Sequence, residues 1–150
     1  MEEALQEKVL HIRRVSRKIP GGNYVTFSAL VAVGDGNGGL GVGLAKALEV
    51  PAAIAKAIRK AKKQLIKIKL YKTTIPYDIK VKFNASKILL KPAPEGTGLK
   101  VGSVIRPLME LAGVKNLSGK IYGSNNKLNL SYAIYKVFKQ LKDKEITNVK

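Results

Sequence analysis

The clearest signal along the chain is strict alternation between Tyr24 and Val33. Val25, Phe27, Ala29, Val31 and Val33 fall on one face, the two-residue period of a half-buried strand. Ahead of it, residues 8–18 mix Leu10 and Ile12 with Arg13, Arg14, Arg17 and Lys18, a strand with a basic far end. Ile19-Pro20-Gly21-Gly22 turns the chain between the two. Gly34-Asp35-Gly36-Asn37-Gly38-Gly39 supplies the positive-φ residues of a tight hairpin. Leu40, Val42 and Leu44 then alternate with Gly41 and Gly43, a return strand with one bare face. Such a face marks close approach by another backbone or by a ligand.

Glu49-Val50-Pro51 opens a helix, with Pro51 at an early, tolerated position. Ile54, Ala57, Ile58, Ala61 and Leu65 form its apolar stripe. The pattern returns to period two at Ile66, Ile68 and Leu70, and again at Ile79, Val81 and Phe83. Both segments interleave lysines, Lys67 and Lys69 in one, Lys80 and Lys82 in the other, so each is greasy on one side and basic on the other. Tyr71–Pro76 reads as a crossing between domains. Lys87–Leu90 is a further short strand, and Pro92–Gly98 is a loop. A helix follows Gly102-Ser103 and ends at Gly113, a C-terminal capping glycine. Pro107 lies inside it and is expected to bend it or remove a hydrogen bond. Lys120–Tyr122 makes a short strand and Ser124-Asn125-Asn126 a polar turn. Leu130, Ile134, Val137, Phe138 and Leu141 define a last amphipathic helix, followed by a polar, frayed tail from Asp143.

Charge changes the picture. The 150 residues hold 28 Lys+Arg against 10 Asp+Glu, a net charge of +18. Self-repulsion of this size destabilises a compact lone domain, so a polyanionic partner is expected, with nucleic acid first. Hydrophobic content of 45% excludes a disordered basic tail. From Val50 to Lys72 there are eight basic residues and no acid. Without acids to form i,i+4 pairs, that helix presents either a solvated face or a phosphate-facing one.

Chemistry has little to work with. There is no Cys and a single histidine, His11, flanked by Leu10 and Ile12 as in an ordinary strand. Asp35, Asp78, Glu95 and Glu110 are isolated, and no cluster has metal-ligand spacing. Gly36–Gly41 matches a dinucleotide-binding glycine pattern, but that pattern should open a helix, and here a strand follows. A hairpin turn explains these glycines better. No apolar run approaches the about 18 residues of a membrane span, and Met1–Leu10 lacks a secretory pattern. The turn Ile19–Tyr24 is more suggestive, with Arg17 and Lys18 to hold phosphate and Tyr24 to stack on a base.

Several ordered motifs carry a resemblance. They are Phe27-Ser28-Ala29-Leu30-Val31, Val33-Gly34-Asp35-Gly36-Asn37-Gly38 and Glu49-Val50-Pro51-Ala52-Ala53-Ile54. Leu89–Gly98, Leu111-Ala112-Gly113-Val114-Lys115 and Tyr122-Gly123-Ser124-Asn125-Asn126 follow at matching spacing. Together, from Val9 to Leu141, the chain resembles the bacterial-type small-subunit ribosomal protein S-five family. The resemblance implies an α+β fold in two domains. Residues 1–71 would form a double-stranded-RNA-binding-like domain of three strands and a helix. Residues 72–150 would form a small α/β domain with a left-handed β-α-β crossover, against the usual right-handed rule.

It also implies a structural, non-enzymatic role without a cofactor, a small-molecule substrate or a membrane. The family's partners are small-subunit rRNA between head and body, ribosomal proteins S-four and S-eight, and the nearby mRNA entry path. The loop Arg17–Tyr24 would touch the rRNA helix where spectinomycin acts. The expected rRNA-binding residues are Arg13, Arg14, Arg17, Lys18, Gly21, Gly22, Tyr24, Asn37, Lys46, Lys56, Arg59, Lys60 and Lys63. The expected S-four contact, tied to decoding accuracy, comprises Gly96, Thr97, Gly98, Gly102 and Arg106. In this reading basic side chains neutralise phosphates, and the bare glycines admit RNA closely. The chain departs from the family in lacking a basic residue after the Gly21-Gly22 turn, in Gly102-Ser103 where paired glycines are common, and in Pro107. Its location would be the ribosome of a bacterial cytoplasm, a plastid or a mitochondrial matrix. The competing readings are an off-ribosome RNA chaperone and a nucleotide-dependent enzyme using Gly34–Gly43.

Overall fold

The computed structural model describes residues 5–70, 74–124 and 126–148, with side chains as far as Lys142. The expected crossing at Tyr71–Pro76 therefore lies partly outside the described residues. Two four-stranded sheets organise the chain. The first has the order β1-β2-β3-β4, from β1 (Gln6–Ile19), β2 (Gly22–Gly34), β3 (Gly39–Ala47) and β4 (Ile66–Lys67). All its pairings are antiparallel, and α1 (Val50–Lys63) connects β3 to β4. The second has the order β5-β6-β8-β7, from β5 (Ile79–Phe83), β6 (Ser86–Pro92), β7 (Leu99–Lys100) and β8 (Leu117–Gly123). Here β7 and β8 are parallel and are joined through α2 (Arg106–Ala112), while α3 (Lys127–Asn148) closes the chain.

The alternation in β2 marks a strand correctly but understates its burial. Ala29, Val31 and Ala45 pack with Ala53 and Ala57 of α1 on one face. On the other face Leu30, Ala32, Leu40 and Val42 enter a second core with Ile105, Leu108, Met109, Leu130, Ile134 and Phe138. The first sheet is thus the middle layer between α1 and the helices of the second half. Side chains buried on both faces remove the polar half of the alternation, hence the run Ala29 to Val33.

The seam of α1 differs from the expected stripe. Ala53, Ala57 and Ala61 are its fully buried residues, while Ile54 and Ile58 are half-buried. The cause lies in β3. A Cβ at Gly41 would meet the carbonyl oxygen of Ala61, and one at Gly43 would lie 2.7 Å from the Ala61 nitrogen. Small residues on both elements let helix and sheet backbones approach closely. The bare glycine face is therefore occupied by α1, which corrects the expectation that RNA approaches there.

Other departures have local causes. The strand expected over 66–70 is shorter, with β4 ending at Lys67, although the Ile68 N–H still donates to the Gly38 carbonyl (3.0 Å) at the next position of the register and its side chain is buried. Pro107 falls in the first turn of α2, where its missing N–H would lack an intrahelical partner anyway, so it costs no helix bond. Lys120–Tyr122 is the middle of a longer strand. Gly113 caps α2 in the left-handed conformation (φ 85°), as its position suggested. The last helix extends to Asn148.

The β2–β3 loop welds the halves together. The Gly36 N–H donates to the Leu111 carbonyl (2.9 Å) and the Gly38 N–H to the Ala112 carbonyl (2.7 Å). A Cβ at Gly34 would sit 2.8 Å from that of Leu111, so only glycine fits against the end of α2. Asp35, whose side chain is only 2% exposed, shapes the loop from inside. Its Oδ1 accepts the N–H groups of Asn37 and Gly39, both at 2.8 Å, and its Oδ2 lies 3.5 Å from the Lys67 ammonium.

Candidate nucleic-acid interface

With Ala53, Ala57 and Ala61 turned inward, Lys56, Arg59, Lys60 and Lys63 project together from α1. Their spacing places them on one helical arc. These four residues, with Ala45 and Lys46 of β3, line a shallow groove of about 300 Å³. Lys60 reaches across it, its ammonium donating to the Leu44 carbonyl at 3.4 Å. Lys62 points elsewhere and pairs with Glu7 of β1 at 3.4 Å. Among the described residues, no acid pairs with any of the five groove cations.

Lys46 also borders two neighbouring depressions. One, of about 550 Å³, is lined by Tyr24, Thr26, Lys46 and Lys56, with Glu49 on its wall. Tyr24 is 47% exposed there, its ring available to stack. The other, of about 450 Å³, lies between the first sheet and the start of α3, lined by His11, Arg13, Ser28, Lys46, Asn126 and Lys127 among others. The register explains the grouping, since Arg13 and Lys46 both pair with Ser28 and so share one face of the sheet. The Asn126 side-chain oxygen accepts the Leu128 N–H at 2.9 Å, capping α3 at the cleft's edge.

The structure thus brings together Arg13, Tyr24, Lys46, Lys56, Arg59, Lys60 and Lys63 around connected grooves. The other expected rRNA contacts lie apart. Arg17 and Lys18 flank the exposed tip of the β1–β2 hairpin, where Gly21 has φ 97° and no neighbour within reach of a Cβ. Gly22 is equally open. Arg14 pairs with Phe27 and so sits on the α1 side of the sheet. Asn37 lies at the opposite end of β2, its N–H held by Asp35.

The residues expected to meet S-four cluster at the entry to β7 and α2. Gly98 donates to the Asn116 side chain (3.1 Å) and accepts from the Leu117 N–H (3.1 Å), and the Thr97 N–H donates to Pro94 (3.2 Å). The carbonyl of Gly102 takes the N–H groups of Ile105 and Arg106, each at 3.1 Å. Arg106 is exposed and pairs with Glu110 at 3.3 Å, and Lys8 of β1 approaches the same carboxylate at 3.8 Å. Gly96 is exposed.

His11, Asn126 and Lys127 belong to the cleft although sequence reasoning gave them no role. The two-residue step from Arg13 to His11 was a usable signal. The proximity of α3 to β1 was not, because it depends on how the halves dock. The glycine loop offers no nucleotide cradle, since the N–H groups of Gly36, Asn37, Gly38 and Gly39 are all spent on Leu111, Asp35 and Ala112. Among the described residues no group of His, Asp and Glu is arranged to hold a metal. Burial raises the Tyr132 hydroxyl pKa above its ordinary value. It does the same for Tyr135, where neighbouring Tyr132 adds to the shift and the hydroxyl donates to the Gln64 carbonyl at 2.9 Å.

Fold and surface together define a class: a basic, two-sheet α+β scaffold that offers clustered cations and packed glycines. The family model of ribosomal protein S5, N-terminal domain, matches residues 5–69, and that of ribosomal protein S5, C-terminal domain, matches residues 81–149. Small ribosomal subunit protein uS5 of Chloroflexus aurantiacus is 44% identical over 137 residues, covering 91% of this chain and 77% of that protein. The chain belongs to the ribosomal protein S5 family, whose members are structural and non-enzymatic.

Proposed function

We propose that this chain is a structural constituent of the small ribosomal subunit, and that the groove between α1 and β3 holds small-subunit rRNA by its phosphates. The observation that carries this is the convergence of Lys46, Lys56, Arg59, Lys60 and Lys63 on one groove, with no acid paired to them among the described residues. Clustered unpaired cations at a net charge of +18 ask for a polyanion. The name of the Chloroflexus aurantiacus relative supports the small subunit as its place.

The finer reading follows the family. The protein sits on the ribosome between head and body, near the mRNA entry path, and supports decoding accuracy. Residues 1–71 act like a double-stranded-RNA-binding domain, reading duplex shape more than sequence. Residues 72–150 form the second domain, with a left-handed β7-α2-β8 crossover. The tip Arg17–Tyr24 approaches the rRNA helix of the spectinomycin site. The cluster Gly96, Thr97, Gly98, Gly102 and Arg106 faces protein S-four, and S-eight is a further neighbour.

The test is sedimentation of a lysate through sucrose gradients at low and moderate salt, with the chain detected by mass spectrometry. Migration with the small subunit at both is the expected outcome. Migration at the top of the gradient overturns the reading and favours an RNA-binding protein that works off the ribosome.

A further inference from the structure

The loop that welds the two halves also holds the most deamidation-prone dipeptide of the chain. Asn37 is the one asparagine followed by glycine. Glycine has no Cβ, so the backbone nitrogen that follows Asn37 is sterically open. Such a nitrogen attacks the asparagine side-chain carbonyl carbon, which is what makes asparagine chemically labile. Asn37 is exposed, within reach of water and base, whereas Gly38 is buried.

The fold ties down that nucleophile. The Gly38 N–H donates to the Ala112 carbonyl at the end of α2 (2.7 Å), and the Gly38 carbonyl accepts the Ile68 N–H (3.0 Å). A Cβ at Gly38 would meet the Ile68 carbonyl oxygen, so this backbone has little room to swing. On the other side, Asp35 Oδ1 holds the Asn37 N–H at 2.8 Å. Ring closure requires the Gly38 nitrogen to give up its proton and turn toward the Asn37 side chain. Neither happens while the N–H is given to Ala112. Asp35-Gly36, which closes the same ring more slowly, is restrained in the same way, with the Gly36 N–H on the Leu111 carbonyl at 2.9 Å.

We propose that Asn37 is a self-modification site gated by the docking of α2. With α2 in place it stays asparagine. When the end of α2 leaves, the Gly38 nitrogen bonds to Asn37 Cγ and its proton passes through water to the departing side-chain nitrogen. The Cγ–Nδ2 bond breaks, and ammonia leaves a succinimide ring. Water then opens the ring. Addition at Cγ breaks the new bond to the Gly38 nitrogen and yields aspartate. Addition at the Asn37 main-chain carbonyl breaks the original peptide bond and yields isoaspartate, with the main chain rerouted through Cβ. Either product sets a second carboxylate beside Asp35, whose side chain is only 2% exposed. Isoaspartate also inserts a backbone atom between the Gly36 and Gly38 N–H groups, which must meet the successive carbonyls of Leu111 and Ala112. The change is a one-way mark on chains whose halves stay apart, and it is independent of whether the chain binds rRNA.

The test incubates the full chain in mildly alkaline buffer across a urea series. Deamidation at Asn37 is located by peptide mass spectrometry. Isoaspartate is read by methyl transfer from S-adenosylmethionine with an isoaspartyl methyltransferase, and opening of the loop by amide exchange at Gly38. A hydrogen bond shifts an opening equilibrium by up to about tenfold, so the Gly36 and Gly38 bonds together should hold the native rate about a hundredfold below the unfolded one. Between these limits the rate should climb in step with Gly38 exchange, because both need the same opening. Asn37→Gln lies at an exposed position, should fold as the wild type by circular dichroism, and should lose the methyl acceptance that unfolding exposes, since its longer side chain closes the ring poorly. Equal rates in native buffer and in urea overturn the proposal. So does deamidation that climbs while the Gly38 N–H stays protected, an unfolded chain that keeps Asn37 intact, or methyl acceptance unchanged in Asn37→Gln.

Discussion

The groove at α1 permits a quantitative trial. Replacing Lys56, Arg59, Lys60 and Lys63 together by Gln removes four of its five cations and leaves the Ala53, Ala57 and Ala61 seam untouched. Each phosphate neutralised contributes about 0.9 to the slope of log affinity against log salt on duplex DNA. Four contacts correspond to about 3.6, so over a fourfold rise in salt the wild-type chain should lose about 150-fold more affinity than the variant. Stability should not suffer. Gln matches Lys and Arg in helix propensity. The i,i+3 and i,i+4 like-charge pairs on this arc each cost a few tenths of a kcal/mol, so the variant should unfold at an equal or higher urea concentration. The Lys60 bond to the Leu44 carbonyl is long (3.4 Å) and exposed, and its loss matters little. Fluorescence anisotropy with a labelled rRNA fragment, titrated from about 50 to 200 mM KCl, reads the slope. An unchanged slope in a folded variant refutes the argument and assigns the face to solvent.

Three further outcomes concern the scaffold. Gly43→Ala drives a methyl group into the α1 backbone beside Ala57 and Ala61, and urea denaturation should show a loss of about 1–3 kcal/mol or more. Asp35→Ala leaves the Asn37 and Gly39 N–H groups without their acceptor, at a cost of about 1–3 kcal/mol; faster amide exchange at Asn37 and Gly39 would report it, and unchanged exchange would contradict it. Burial raises the Tyr132 and Tyr135 pKa values in the folded chain, so their contribution is intact below the unfolded value near 10 and is lost as pH climbs through the raised folded values. Relative to the wild-type chain, Tyr135→Phe should be less stable at neutral pH by about 1 kcal/mol for the lost bond to Gln64, and thermal melts should show that deficit shrinking above about pH 10.

Much of the fold was legible because alternation and capping are local. The strands through Val25–Val33 and Ile79–Phe83, the helix after Pro51 and the cap at Gly113 could all be read from neighbouring residues. The seam of α1 could not. Ile54 and Ile58 outrank Ala53 on any hydrophobic scale, yet the partner surface is glycine, and a shallow surface selects the smallest side chains. The double burial of β2 was hidden for a related reason. Leu30 and Ala32 meet residues more than 70 positions later, such as Leu108 and Met109, and no local pattern encodes that meeting. Of the candidate site, the α1 cations were legible from helical spacing. The participation of Lys46 and His11 required the sheet register and the placement of α3.

The core shared by both sheets has a consequence for how the chain is made. Leu30, Ala32, Leu40 and Val42 leave the synthesising ribosome long before Ile134 and Phe138, the helix residues that cover them. At about 5–20 residues per second, the interval from Val42 to Phe138 lasts roughly 5–20 s. Through it the nascent first sheet can shelter one face under α1 while the other remains open to water. That open face is a natural station for a holding chaperone, and a target for proteolysis when translation stalls. A message truncated before Leu130 would yield a sticky fragment destined for degradation, not a smaller working module.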